Sequence, residues 1–308
     1  MNTQNITSFS RVGIFTCALV LCGCDEQRLS QYSTFATAGQ VYVANFHQVT
    51  AQAGSAMIAV DSVLMSTAHK DVVSDLKKNP AKYSAQVEQH DELLQKYLGT
   101  LQLIDAHATA LGAYFDAIAK LTDNKTATNT ASAATDLLNA VDSLNTHLAK
   151  ATILGKPIAD YVSKGTPFVV AHFQVKALDA QLQRAAPIVD IALSLQEGAV
   201  TAIGEQTKAS LTDTLKNRES TDVIEPFLRT NELPANWNTN REAYLRASVT
   251  LSNVSSAQSA IKQLHITFKQ LVENQTASID LQTLITDISA MSAYANATQT
   301  TLKTAGAK

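Results

Sequence analysis

A repeated three-four spacing of apolar and small residues constrains this chain more than any other feature. Its first and longest occurrence lies between Cys24 and Asn79, a stretch without proline. Ten positions carry it: Ala36, Gly39, Val43, Phe46, Thr50, Ala53, Met57, Val60, Leu64 and Thr67. Because residues three and four apart share one face of an α-helix, this pattern predicts a helix packed along a partner helix. Over about 50 residues such a helix is about 75 Å long, and Gly54 is where it could break.

The same spacing recurs after Asn79 and Pro80, which suit the first positions of a helix. This second stripe is the clearest in the chain: Val87, His90, Leu94, Tyr97, Leu101, Ile104, Ala108, Leu111, Phe115 and Ile118. Flanking leucines widen it beyond a two-stranded seam, which indicates the interior of a helical bundle. A polar turn follows, and a third stripe runs from Leu137 to Leu148.

Prolines divide the second half of the chain. Pro157 lies just beyond the predicted end of the third helix. We expect Pro187 to kink or interrupt the fourth helix. Residues 217–238 form the longest predicted irregular stretch, after which the capping box Thr239–Glu242 opens another helix. Two more stripes follow, over residues 254–271 and 281–302.

No segment shows a sustained strand period. We therefore predict an all-α protein, one elongated antiparallel bundle of six or seven long helices. Two helical sub-bundles, roughly residues 25–155 and 156–308, are the alternative at this length. The turn Leu121–Thr128 resembles the turn Leu271–Ser278, and each lies between two striped helices. Duplication of a helical hairpin explains this similarity, and so does the usual composition of polar turns.

Residues 1–23 have the parts of a secretory signal: a polar start with one positive side chain, an apolar run and a small final residue. The run Val12–Leu21 is too short to span a bilayer, which takes about 20 residues. The stretch Leu21-Cys22-Gly23-Cys24 resembles the lipobox of bacterial lipoproteins. The resemblance covers residues 1–24 only, and it implies cleavage before Cys24, diacylglycerol on its sulfur and acylation of the new amine. Ordinary cleavage after Gly23 is the alternative, although Leu21 suits it poorly.

The mature body, residues 24–308, keeps little reactive chemistry. Of the three cysteines, Cys17 and Cys22 leave with the signal and Cys24 carries lipid, so no disulfide is expected. The net charge of the whole chain is −3, a mild acidity that gives no reason to expect nucleic acid as a partner. Each buried acyl methylene contributes about 0.8 kcal/mol, so the lipid chains predict a lasting attachment to a bilayer.

Asp25 follows the lipidated cysteine. An Asp at this position resembles the signal that retains lipoproteins in the inner membrane of enteric-type bacteria. We therefore expect a protein of the bacterial cell envelope on the periplasmic side of the inner membrane, with the outer membrane as the alternative.

The sequence shows no pattern of a catalytic or metal site. None of the seven histidines has an Asp, Glu, His or Cys three or four residues away, the spacing of helical metal ligands. His90, on an apolar stripe, is expected to be a satisfied core or boundary residue. Glu88, Asp91 and Glu92 are expected to form a solvated acidic face near a helix start. Without a nucleophile motif or a phosphate-binding glycine loop, we predict a non-catalytic protein that uses no metal or cofactor.

Two functions fit this description. The first is a helical scaffold or protein-binding adaptor at the membrane, whose partner is another envelope protein. The second is a tethered sensor or carrier that binds a small apolar ligand between helices. Phe168, His172 and Phe173 are the candidate lining of such a pocket. A closed core favours the adaptor, and an apolar cavity of roughly a few hundred Å³ favours the carrier.

The connector 217–238 is the candidate partner-binding segment. It is long for a turn inside a bundle, two prolines stiffen it, and apolar residues are spaced along it. Phe227 and the only tryptophan, Trp237, are the predicted contact residues, since tryptophan is enriched in interface hot spots. In the alternative, which the usual burial of large aromatic side chains favours, both fold back and plug one end of the bundle.

Overall fold

Helices account for almost all of the computed structural model. It describes residues 12–76, 78–123, 127–150, 152–153, 156–157, 174–229, 231–251, 254–273 and 279–306. Within these residues the α-helices are α1 (Val12–Leu76), α2 (Pro80–Asp123), α3 (Ala127–Lys150), α4 (Gln174–Arg218), α5 (Glu225–Arg229), α6 (Trp237–Leu251), α7 (Val254–Val272) and α8 (Leu281–Gly306). A π-helical turn, Glu219–Ile224, joins α4 to α5, and the two-residue strands β1 (Thr152–Ile153) and β2 (Lys156–Pro157) pair antiparallel. The prediction of an all-α helical bundle is confirmed.

Helix α1 runs for 65 residues and passes through Gly54 without a break. Two glycines of α1, Gly39 and Gly54, face side chains of α2. A Cβ atom on Gly39 would lie 2.4 Å from the ring of Phe115, and one on Gly54 would lie 3.0 Å from Leu98. Gly54 therefore permits a close approach of two helices instead of ending one.

Paired side chains show how the helices run. Gln40 of α1 donates to Asp116 of α2 (2.6 Å), and these two helices are antiparallel neighbours. Helix α4 runs parallel to α1, as three contacts at regular intervals show: Arg28–Asp179, Tyr42–Gln196 and Met57–Ser210. This parallel pair is a departure from a strictly antiparallel bundle.

One hydrophobic core spans both halves of the chain. Phe35 of α1 contacts Phe115 of α2, with ring centroids 5.5 Å apart, and Phe268 of α7, at 6.2 Å. All three rings are buried. Helices α1 to α4, α7 and α8 supply the remaining residues of this cluster. The halves near 25–155 and 156–308 therefore share a core.

The two halves nevertheless have matching patterns of burial. Each has a long helix, a returning helix and a third helix that packs against the returning one: α1, α2 and α3, then α4, α6–α7 and α8. All eight buried residues of α7 lie 150 positions after a buried residue of α2, as Leu271 does after Leu121. This regularity favours duplication over the chance similarity of two polar turns.

Pro187 does not interrupt its helix, and the connector and the capping box also differ from the predictions. Helix α4 passes through Pro187, whose side chain is exposed, so the carbonyl that loses its partner can be hydrated. The stretch 217–238 is mostly helical, because a wide π-helical turn precedes Pro226 and accommodates its ring. Helix α6 already begins at Trp237, so Thr239 lies inside its first turn.

The continuous helical stretch Leu178–Arg229 is notably apolar. Its most apolar 18-residue window has a mean hydropathy of 1.3, which by length and composition alone is enough to cross a membrane. In the bundle, 33% of that window is buried, and this helix contributes Leu182, Val189 and Leu193 to the core. One buried face is typical of a helix in a bundle core.

Candidate functional site

The helices extend past the shared core at one end and form two hairpins. The first arm, residues 57–100, contains the end of α1 and the start of α2. The second arm, residues 208–251, contains the end of α4, the π-helical turn, α5 and α6. We call the rest of the described helices the body.

Exposed apolar side chains are concentrated on these arms. Of the 16 large hydrophobic residues that are exposed in the described part of the chain, 12 lie there. They are Ile58, Val63, Leu64, Val73, Val87 and Leu93 on the first arm, and Ile224, Phe227, Leu228, Leu233, Leu245 and Val249 on the second. Concentrated apolar exposure is typical of surfaces that contact another molecule.

A stacked aromatic pair forms the outer corner of the second arm. The rings of Phe227 and Trp237 lie 5.9 Å apart at an angle of 26°. Trp237 donates its indole N–H to the carbonyl oxygen of Val223 (2.9 Å), which ties α6 to the π-helical turn. The guanidinium of Arg241 lies 5.9 Å from the indole ring. The pair is therefore held in one geometry by the helices around it.

These positions bear on the two interpretations of the connector. Phe227 is 62% exposed, and Trp237 is half-buried. Neither side chain is among the buried residues of the core. Phe227 does not plug the bundle, and both side chains are placed where a partner could contact them.

Two polar contacts hold the helices of the first arm together. His90 Nδ1 lies 2.8 Å from Asp61 Oδ1, so His90 has a partner as predicted, although its side chain is exposed and not at the core boundary. Tyr83 donates its hydroxyl to Asp75 (2.9 Å). This hydrogen bond raises the pKa of Tyr83, because a neighbouring carboxylate favours the protonated phenol.

Apolar packing within the first arm is incomplete. A groove of about 770 Å³ lies between α1 and α2, and only these two helices contribute to its described lining. Leu64 and Val87, which the sequence placed on stripes facing other helices, line this groove and are 56% and 43% exposed. The sequence analysis did not predict this groove, although both stripes were visible.

The structure places the predicted lipidation site next to the body. Cys24 and Asp25 lie within α1, which continues into the bundle without a loop. Arg28, one helical turn later, is buried and donates from Nε to Asp179 (2.8 Å). The predicted pocket residues Phe168, His172 and Phe173 lie outside the described residues.

Contacts between histidines and carboxylates of different helices were missed from the sequence. His265 of α7 has Nδ1 2.5 Å from Glu197 and Nε2 2.6 Å from Asp190, both on α4. His47 Nδ1 lies 2.5 Å from Asp105. Their sequence separations put them beyond any test of spacing within one helix. In the part of the chain that the structure describes, no cluster of three or more such side chains is arranged to hold a metal ion.

A short chain of polar groups crosses the core. Tyr42 donates to Gln196 Oε1 (3.2 Å), and Gln196 Nε2 lies 2.8 Å from His107 Nδ1. Burial, together with the charge of His147, lowers the pKa of His107 to about 4, so the imidazole is neutral at pH 7. The side chains of Tyr42, Gln196 and His107 are all buried, which suits a role in fixing the positions of α1, α2 and α4.

The arms are thus the region with the strongest features of a binding surface, since they carry exposed apolar groups on rigid helices. In the body, Tyr42, Gln196 and His107 are bonded to one another and are buried, although His107 Nε2 and the buried Tyr114 hydroxyl have no hydrogen-bond partner among the described residues. Comparison of the chain with protein-family models, with curated proteins and with solved structures finds no match.

Proposed function

We propose that the protein is a membrane-anchored, non-catalytic lipoprotein of the bacterial cell envelope that acts as a helical scaffold or protein-binding adaptor. In this proposal the body is a rigid support and the arms bind another envelope protein. One observation carries it: 12 of the 16 exposed large hydrophobic residues described lie on the arms. Removing such side chains from water contributes about 25 cal/mol per Å² in favour of association, which the entropy lost on association partly offsets.

The lipid attachment is supported by the lipobox-like stretch and by the form of α1. The helix is continuous from Val12 to Leu76, so a lipid on Cys24 would be joined to the body without a flexible linker. At 1.5 Å per residue, the arms begin about 50 Å along α1 from Cys24, and the tip at Leu76 is about 80 Å away. The arms would therefore be presented away from the membrane. Asp25 favours the inner membrane as the one that holds the anchor.

A tethered carrier of a small apolar ligand is less well supported. The described cavities, of about 340, 530 and 770 Å³, are grooves between helices that are open to solvent. Small-molecule sites usually enclose most of their ligand. The aromatic rings at the centre of the body are fully buried and in contact with one another. These features favour the adaptor.

Two matched leucines allow a direct test of the adaptor. Leu228 on the second arm is 73% exposed, and Leu103 on the body is 74% exposed. A photo-crosslinking amino acid replaces each of them in the lipidated full-length protein in its native membrane. We expect a discrete crosslinked protein, identified by mass spectrometry, from position 228 and none from position 103. Equal labelling from both positions, or none from position 228, would contradict the adaptor.

The lipid attachment is tested separately with Cys24→Ser. We expect this variant to lack the acyl mass in intact-mass analysis and to leave the membrane fraction. A Cys24→Ser protein that still matures and stays membrane-bound would overturn the anchor, whatever the arms bind.

A further inference from the structure

We propose that the groove of the first arm binds an amphipathic helix of a partner protein, with acidic side chains along the edge of that helix. The proposal rests on the adaptor function and specifies the chemistry of the partner at one arm. Three observations support it: the apolar floor of the groove, the sign of the charges around it, and its length.

Among the described residues, the floor of the groove is a helix-packing surface of two helices with no third helix over it. In the body, the stripe on α1 is covered by other helices, and Phe46 and Ala53 are buried. The stripe continues at the same spacing to Leu64, which is 56% exposed. Opposite it, Val87 on the stripe of α2 is 43% exposed. Because a helix covers this surface in the body, a helix is the element that fits its continuation.

Apart from Tyr83, whose phenol is uncharged, the ionisable side chains in the described lining of the groove are basic. Among the described lining residues they are His69, Lys82 and His90, and none is acidic. At about 100° per residue, Glu88 and Glu92 lie at least about 100° around α2 from Tyr83 and Val87, whereas Asp91 lies about 40° from Val87.

Two other carboxylates of the arm have partners on the arm itself. Asp61 is paired with His90, and Asp75 accepts hydrogen bonds from Tyr83 and Asn79. Lys82, which lies over the Tyr83 ring at 5.0 Å, therefore presents its charge next to the apolar floor. Opposite charge at the rim of an interface mainly determines which partner is accepted. An apolar floor with a basic rim fits an amphipathic helix with Asp or Glu at its edge.

The groove is long enough for about two turns of such a helix. Its lining extends over Lys82–His90 on α2, which at 1.5 Å per residue is about 12 Å. A partner helix would place apolar residues at positions i, i+3 or i+4, and i+7 against this floor.

Two synthetic peptides test the proposal on the soluble form, residues 25–308. Each is a fluorescein-labelled amphipathic helix of about 15 residues with leucines at helical spacing. One has Glu at both edges of its apolar face, and the other has Lys at the same positions. In anisotropy titrations we expect the Glu peptide to bind at least about tenfold more tightly than the Lys peptide.

Variants then locate the binding. Lys82→Glu should reverse the preference between the peptides, and Leu64→Gln should weaken the Glu peptide about tenfold or more. Leu103→Gln, on the body and 74% exposed, is the matched control and should leave binding unchanged. Circular dichroism melting confirms that each variant folds, so weaker binding by a folded Leu64→Gln protein supports the groove.

The outcomes separate this proposal from the adaptor function. Equal binding of both peptides, or equal weakening by Leu64→Gln and Leu103→Gln, overturns the proposal. Binding of dodecanoate with no binding of either peptide overturns it too, and assigns the groove to small amphiphiles. If position 228 crosslinks to a partner while neither peptide binds, the groove proposal fails and the adaptor function stands. If the Glu peptide binds as expected and position 228 captures nothing, the adaptor function is contradicted, while the binding of an acidic-edged helix in the groove stands.

Discussion

The body and the arms are made from the same helices and differ in what covers those helices. In the body, the stripe of α1 faces α2, α4, α7 and α8, and Phe35 and Phe46 have no exposed surface. In the first arm the same stripe faces α2, and Leu64 is 56% exposed. One helix thus passes through both environments. The spacing of apolar residues shows which face of a helix is apolar. The number of neighbouring helices decides whether that face is buried.

The arms also differ from each other. The base of the second arm has a small cluster of buried residues, Leu211, Leu215 and Ala247, which meets Ala56 of α1. The first arm is held by the contacts of Asp61 with His90 and of Asp75 with Tyr83. Regions with few buried apolar contacts open more readily than the core of the same protein. The first arm should therefore be the easier one to remodel on binding.

Removing one aromatic ring from each region should give the largest difference in stability. Phe35→Ala deletes a fully buried ring that contacts Phe115 and Phe268, and should lower the free energy of unfolding by about 3–5 kcal/mol. Phe227→Ala deletes a ring that is 62% exposed and should cost about 1 kcal/mol or less. Urea unfolding followed by circular dichroism compares the two. Equal losses would show that the arm is packed like the body.

Acid should weaken the body through His107. Its pKa is about 4 in the folded protein against the ordinary 6.5, because burial disfavours the charged ring. Since the folded pKa is the lower one, the neutral ring stabilises the fold above pH 6.5, and this contribution is lost as the pH falls from 6.5 to about 4. The shift corresponds to about 3 kcal/mol.

His107→Gln serves as the reference for this loss, because it cannot titrate. The difference in unfolding free energy between the wild type and His107→Gln should fall by about 3 kcal/mol from pH 6.5 to pH 4. Urea titrations at each pH measure it. A difference that does not change with pH would mean that His107 is solvated, and that the body is looser than its burial indicates.

Much of the body could be predicted from the sequence, because helical spacing directly reports a shared face. Val43, Phe46 and Ala53 were placed on the stripe of α1 and are buried. The arms could not be predicted, because the same spacing continues through Leu64 and Val87, where no further described helix covers it. A sequence pattern does not show where the neighbouring helices end.

Contacts between residues that are far apart in the sequence set a second limit on what the sequence can predict. His265 meets Glu197 and Asp190 from 68 and 75 residues away, and no local spacing reveals such pairs. The connector shows a third limit, since Pro226 suggested an irregular chain and a π-helical turn instead accommodates it. Phe227 was nevertheless predicted as a contact residue, because a large apolar side chain in a connector either packs against the bundle or is exposed to a partner.

Two glycines sharpen the comparison, because substitution by alanine should lower the stability of the protein at one of them and raise it at the other. At Gly39 a Cβ atom would lie 2.4 Å from the Phe115 ring, and such overpacking costs about 1–3 kcal/mol. At Gly99 in the first arm nothing lies within 4 Å of an added Cβ atom, so alanine should stabilise the helix by about 1 kcal/mol. Thermal unfolding followed by calorimetry shows whether each substitution raises or lowers the stability. If Gly39→Ala is neutral, the close approach of α1 and α2 in the body is looser than described.

Trp237→Ala should have a small effect on stability and a large effect on binding. The side chain is half-buried, and its loss removes one hydrogen bond, to Val223, and one ring contact, to Phe227. We expect the free energy of unfolding to fall by about 1 kcal/mol, together with loss of the crosslink from position 228. Trp237→Phe keeps an aromatic ring beside Phe227 without the N–H donor, so it should recover the crosslink if the ring is what the partner contacts. A loss of about 3–5 kcal/mol with the crosslink retained would be the behaviour of a buried core residue. That result would make Trp237 a plug of the bundle and would remove the corner of the second arm from the binding surface.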